Sequence, residues 1–151
     1  MKVMIVYDSL FGNTGQIALA IGKDLHSQED VTILRANDVK PEQLTGLKLL
    51  IVGSPTQGGR PTPAIQDFLN NFSESTIGGI NVAAFDTRFS TKLVKIFGYA
   101  AEGIADGLSR KNCTLIASPV GFFVKGKKGP LKEGELERAV SWAKAIVTHI
   151  E

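Results

Sequence analysis

A three-layer α/β sandwich, with a five-stranded parallel sheet in the order 2-1-3-4-5 and helices on both faces, is the fold class this sequence predicts. Three observations carry it. Short aliphatic runs are apolar on consecutive residues, as strands covered on both faces require. Each run gives way to a stretch of turn residues or helical periodicity, and β–α alternation implies right-handed crossovers in an open parallel sheet. Five such runs suit the five-stranded order better than the six-stranded dinucleotide type.

The first strand spans Val3–Tyr7, and the helix behind it repeats Ile17, Ile21 and Leu25 on one face. Val31–Leu34 is the second strand, and Arg35–Gly46 reads as a loop with one turn at Pro41–Leu44. Leu47–Val52 is the third. Pro61 and Pro63 suit the first turn of the next helix, where a missing N–H costs nothing. That helix carries Ile65, Phe68, Leu69 and Phe72 at helical spacing. Ile80–Phe85 is the fourth strand, followed by the stripe Phe97, Ala101, Ile104 and Leu108. Thr114–Ala117 is the fifth; Pro119 and Gly121 interrupt it and Phe122–Val124 continues it. Leu136, Val140, Ala143, Val147 and Ile150 mark the last helix.

With 151 residues, 43% hydrophobic and 21% charged, the chain is expected to form a single domain over residues 1–151. No run approaches the roughly 20 apolar residues of a membrane span. Met1–Val6 runs into a strand with no signal-peptide pattern. The lone Cys113 excludes an intrachain disulfide, and with two histidines it makes a poor zinc set. A cytoplasmic protein with no membrane association is the expectation. Residues 1–75 carry a net charge of −2 and residues 76–151 a net +4, too mild an asymmetry to indicate nucleic acid.

In such sheets ligands bind beyond the carboxyl ends of the strands. The first of those loops, Asp8-Ser9-Leu10-Phe11-Gly12-Asn13-Thr14-Gly15, leads into a helix. Hydroxyls, an amide and two glycines at a helix start suit a phosphate, because backbone N–H groups and the helix dipole both favour an anion. The plainer reading is a helix cap from Asn13 or Thr14. Neither a Walker A loop nor a G-x-G-x-x-G fingerprint can be drawn. A phosphoacceptor receiver would need an Asp closing the third strand, where Gly53-Ser54 stands.

Ser9-Leu10-Phe11-Gly12-Asn13-Thr14 resembles the [ST]-x-[TF]-G-x-T phosphate loop of flavodoxins. Gly53-Ser54-Pro55-Thr56-Gln57-Gly58-Gly59-Arg60-Pro61-Thr62-Pro63 resembles the flavin-ring loop of that family, and Phe85-Asp86-Thr87-Arg88-Phe89 falls where its second ring-edge loop lies. Phe97-Gly98-Tyr99-Ala100-Ala101 and Ser141-Trp142-Ala143 are similar to patterns on its last two helices. The resemblance implies a flavodoxin-like fold and FMN as cofactor. It implies that Ser9, Leu10, Phe11, Gly12, Asn13 and Thr14 surround the phosphate, and that Pro55, Thr56, Gln57, Gly58, Gly59 and Arg60 line one ring edge. Asp86, Thr87, Arg88 and Phe89 would lie at the other.

The resemblance further implies that the Gly58-Gly59 peptide turns over when the flavin takes its first electron, which glycine permits by accepting φ > 0. An ordinary tight turn is the plainer reading. Gln57 stands where flavodoxins often place Trp, and Phe89 takes the place of their Tyr. Flavodoxins also tend to surround the ring with acids, whereas Arg60 and Arg88 occur here. Arg88, and less so Arg60, is thus expected to stabilise the anionic reduced flavin and raise the second potential, unless Arg88 pairs with Asp86.

Trp142 reads as packing, Cys113 as a small buried apolar residue and Tyr7 as core; His26 and His149 fall near helix ends and receive no catalytic role. Lys125-Gly126-Lys127-Lys128-Gly129 reads as a solvated turn, with an acidic partner as its functional reading. The resemblance implies an electron carrier between redox partner proteins with acidic docking surfaces. The alternative is an FMN-dependent NAD(P)H oxidoreductase of the quinone-reductase type, its open ring face left by the missing Trp. A binding module that has lost its cofactor conflicts with the intact phosphate loop.

Overall fold

Val3 and Ile5 on the first strand face one side of the sheet, and Met4 and Val6 the other, so one strand feeds two cores. The computed structural model describes residues 1–89 and 98–151; Phe97, expected on the third helical stripe, lies outside the described residues. The strands are β1 (Lys2–Tyr7), β2 (Asp30–Arg35), β3 (Leu49–Pro55), β4 (Asn81–Arg88), β5 (Thr114–Leu115) and β6 (Val120–Phe123). The helices are α1 (Asn13–Leu25), α2 (Pro63–Asn71), α3 (Glu74–Ile77), α4 (Ala100–Ser109) and α5 (Glu135–Ile150). The parallel order is β2-β1-β3-β4-β5, as expected, and a sixth strand also pairs with β4.

That sixth strand is the continuation of the fifth. β5 pairs with Asn81 and Val82 at the start of β4, and β6 pairs with Phe85 through Arg88 at its end. The break is where Pro119 removes a ladder donor, as the sequence suggests. β5 stops at Leu115 rather than Ala117, and the ends of β3 and β4 also depart from expectation. β3 continues to Pro55 and β4 to Arg88, because Ser54 pairs with Asp86 and Pro55 with Thr87. The expected third loop is therefore mostly strand. Between β2 and β3 lie two 3-10 turns, Ala36–Asp38 as well as the expected Pro41–Leu44.

α1 and α5 cover one face with Ile17, Ile21, Ala139, Ala143 and Ile146; α2 and α4 cover the other with Ile65, Phe68, Ile104 and Leu108. The buried stripe of α5 is rotated from the expected one. Leu136 is 38% exposed, whereas Glu135 is buried. The reason is a clamp: the Glu135 carboxylate accepts the Phe123 N–H at 2.7 Å and the Arg138 Nε and Nη2 donors at 2.9 and 2.7 Å. The Arg138 hydrogen bond holds the Glu135 carboxyl below its ordinary range; burial opposes this and the Phe123 N–H adds to it. Small residues Ala139 and Ala143 lie next along the buried face. Trp142 packs edge-on against Phe85 and Phe122, with centroids 6.2 and 6.1 Å away. Phe85 also crosses Gly53 so closely that a Cβ there would lie 2.1 Å from its ring. Burial pushes the Cys113 thiol up to about 11. Among the described residues no helix is long and apolar enough to cross a membrane.

Candidate cofactor site

Between β1 and α1 the chain turns at Gly12, whose φ of 93° lies in the left-handed region at the helix N-cap. The Ser9 hydroxyl accepts the Gly15 N–H at 3.2 Å. The backbone N–H groups of Leu10, Phe11, Gly12, Asn13 and Thr14 have no acceptor among the described residues. With the positive end of the helix dipole behind them, they form a cradle of neutral donors for an anion. The adjoining carboxylate, Asp8, accepts the Ser9 N–H at 2.9 Å and pairs with Arg35 at 3.4 Å. Its charge is thus matched locally.

The side chains of Asn13 and Thr14 do not cap the helix. Thr14, 1% exposed, shares a 2.7 Å hydrogen bond with the Thr87 hydroxyl on β4. Asn13 Nδ2 donates to the Lys128 carbonyl at 3.2 Å. Both reach across the site.

Beyond β3, Gln57 and Arg60 exchange backbone hydrogen bonds of 2.8 and 3.0 Å around Gly58 and Gly59, with φ of 55° and 80°. Positive φ at both central residues makes this a two-residue type I′ hairpin. Behind it, the Thr56 hydroxyl accepts the Ala100 N–H at the start of α4, 3.0 Å away.

These segments enclose a cavity of about 520 Å³, within the roughly 300–1,000 Å³ of small-molecule sites. Ser9, Leu10, Phe11, Asn13, Thr14, Pro55, Thr56, Gln57, Gly58, Thr87 and Phe89 line it, joined by Val124 and Lys127. The donor cradle, the hydroxyls and the exposed Phe89 fit a phosphate monoester carrying a flat aromatic body. Gly59 and Arg60 complete the hairpin without lining the cavity.

Asp86 and Arg88 require a correction. Neither lines the cavity: on the extended β4 both lie on the strand face opposite Thr87, which does line it. Asp86, 0% exposed, accepts Arg88 Nε at 2.7 Å and Nη2 at 2.8 Å, and its Oδ2 accepts the Ala101 N–H at 2.9 Å. The Arg88 guanidinium lies 3.4 Å from the Tyr99 ring centroid. Residues two apart on a strand share a face, which is what pairs them.

Val124 and Lys127 are what the sequence reading misses. The lysine run reads as a solvated turn, and only its contact with Asn13, over a hundred positions away, brings it to the cavity.

A family model described as flavodoxin matches residues 5–142. Among curated proteins, the probable flavodoxin 1 of Bacillus subtilis (strain 168) is 30% identical over 86 residues, 56% of this chain; the match spans 54% of that protein's length. Among solved structures, a flavodoxin from the domain Archaea gives a TM-score of 0.83 at 24% identity, over 99% of both chains. Oxidised flavodoxin 2 from Bacillus cereus gives 0.80 at 24%, again over 99% of both. These two likenesses are of fold. Taken with the family match along most of its length, they accompany one conclusion: the chain belongs to the flavodoxin family, whose cofactor is FMN.

Proposed function

We propose that this chain is a one-electron carrier between redox proteins, that residues 1–151 act as one FMN-binding unit, and that its partners present acidic docking surfaces. The observation that carries this reading is the run of N–H groups from Leu10 to Thr14, beside the cavity and without acceptors among the described residues. In it Ser9, Leu10, Phe11, Gly12, Asn13 and Thr14 bind the phosphate, chiefly through backbone donors. Pro55, Thr56, Gln57 and Gly58 border the ring, and Phe89 offers it a face. When bound, FMN supplies reversible one- and two-electron chemistry.

The residues around it orient and shield. Leu10, Phe11 and Phe89 are 49%, 50% and 43% exposed and line the cavity, so they exclude water from its mouth and offer a partner apolar contact. Exposed Arg60 and Lys128 complement an acidic docking surface. A second reading, direct reduction by NAD(P)H, draws support from exposed Gln57, which leaves that side of the cavity without an aromatic cover.

Anaerobic titration separates the two. The carrier reading expects dithionite to reduce the protein in two resolved one-electron stages, with no oxidation of NADH or NADPH. Direct two-electron bleaching by either nicotinamide overturns it. For the phosphate placement, Thr87 donating to Thr14 leaves the Thr14 proton for the anion; Thr14→Ala removes that bond, worth about 1.5–3 kcal/mol to a charged acceptor, so FMN affinity falls about tenfold or more. Equal affinity for FMN and riboflavin would sink that placement.

A further inference from the structure

We propose that the hairpin after β6 is a fourth wall of the FMN site and that Lys127, near its tip, is a cationic partner of the FMN phosphate. The inference rests on the reading that residues 9–14 receive that phosphate. The hairpin is built, not merely solvated. Val124 and Leu131 form an antiparallel bridge, Lys125 N donates to Pro130 O at 2.8 Å, and Lys132 N donates to Phe123 O at 2.8 Å. Gly129 N closes the tip on Gly126 O at 3.0 Å. At the base, buried Glu135 accepts the Phe123 N–H.

The tip is then fastened to the phosphate loop. Asn13 Nδ2 donates to Lys128 O, and Gly129, at φ 104°, packs so closely that a Cβ would lie 2.6 Å from Asn13 Oδ1. The Lys128 ammonium lies 5.8 Å from the Phe11 ring centroid. All three contacts are with the loop that bears the free N–H groups, so the hairpin approaches the phosphate end of the cavity. Lys127 lines that cavity.

The charges around it are not matched in the same way. Lys125 pairs with Glu133 at 3.9 Å, whereas among the described residues no carboxylate lies within 4.0 Å of Lys127 or Lys128. A phosphate monoester carries about −1.5 to −2 charges near neutral pH, which this unmatched ammonium complements. Asn13, expected from the sequence to donate to the phosphate, acts here as a positioning residue for the lysine.

The test titrates FMN and, separately, riboflavin with the full chain at several salt concentrations, reading flavin anisotropy. Lys127→Gln is expected to weaken FMN about three- to tenfold, as suits a solvent-exposed charge pair, and to flatten its salt dependence. Riboflavin binding stays unchanged, Lys127→Arg restores FMN affinity, and Lys125→Gln behaves as the parent. If the parent prefers FMN and Lys127→Gln alters neither that preference nor the salt slope, the lysine has no such role and the phosphate reading stands. An equal loss for both flavins also overturns the proposal, since it marks a disturbed hairpin. If the parent binds both flavins alike, the phosphate reading itself fails.

Discussion

Arg88 shows how one side chain's partner decides its role. Its guanidinium closes on a carboxylate that is 0% exposed, lies on Tyr99, and leaves so little room that a Cβ on Gly121 would meet its Nε at 2.0 Å. A cation so matched presents little net field to the cavity, so the expected rise in the second potential loses its basis. Its removal leaves Asp86 buried and without its countercharge, at a cost of about 3–5 kcal/mol. Arg88→Ala is therefore expected to lower unfolding free energy in urea by about 3 kcal/mol and to leave the second potential nearly unchanged. A change of tens of millivolts with stability intact would reverse the assignment. The sequence shows Asp86 and Arg88 to be near the site but not which way they face. Asp86-Thr87 is polar, polar residues ending an aliphatic run look like loop, and only pairing with β3 and β6 makes them strand.

Elements carry the next two predictions. In the Gln57–Arg60 hairpin both glycines have positive φ. Turning the Gly58–Gly59 peptide over converts type I′ to type II′, in which only the first central residue keeps φ > 0. Gly58 is then needed in both states and Gly59 in the present one alone. If the first electron turns this peptide, as the family resemblance implies, Gly59→Ala penalises the present state by about 1 kcal/mol and raises the first potential by about 40 mV. Gly58→Ala lowers it, because the turned form is the harder for an L-residue at that position. Spectroelectrochemistry reads both, and shifts of the same sign would dismiss the flip. At the opposite side, Glu135 ties α5 to β6. Its carboxyl is held low, so its stabilisation is full above the unfolded value near 4.5 and is lost as pH falls through the folded one. Glu135→Gln should cost about 1–2 kcal/mol at pH 7, half-exposed Arg138 being partly screened, with the gap to the parent closing in acid. A gap that does not change between pH 7 and pH 3 would deny the ion pair its part. The periodicity of α1, α2 and α4 was legible because burial there is apolar; the stripe of α5 was legible at Ala143 and Val147 but not at its start, where a carboxylate occupies a buried position.

Across the molecule, alternation conveyed the parallel sheet, the count of five runs conveyed its order, and Pro119 with Gly121 conveyed the break in the last strand. The first two sheet-edge loops were legible from turn residues and hydroxyls, whereas the expected third is mostly strand. The fourth wall was not, since it depends on Asn13 meeting Lys128 from the far end of the chain. The cavity sits over the ends of β1, β3 and β4, at the switch point beside β1 where the strand order reverses and loops part to opposite sides. The interrupted strand has a separate consequence. β5 and β6 form one flank of the sheet, and a flank of open amides is a template on which another polypeptide can add. Here that row is two residues, a gap containing an imino acid, and then four more. The segment ending in Lys132 engages the carbonyl of Phe123 as well. Among the described residues no long, flat ladder remains at this flank for an incoming chain to copy, and the lysines beside it discourage apolar contact. The break that precedes β6 therefore also works against self-association through β-addition at this flank.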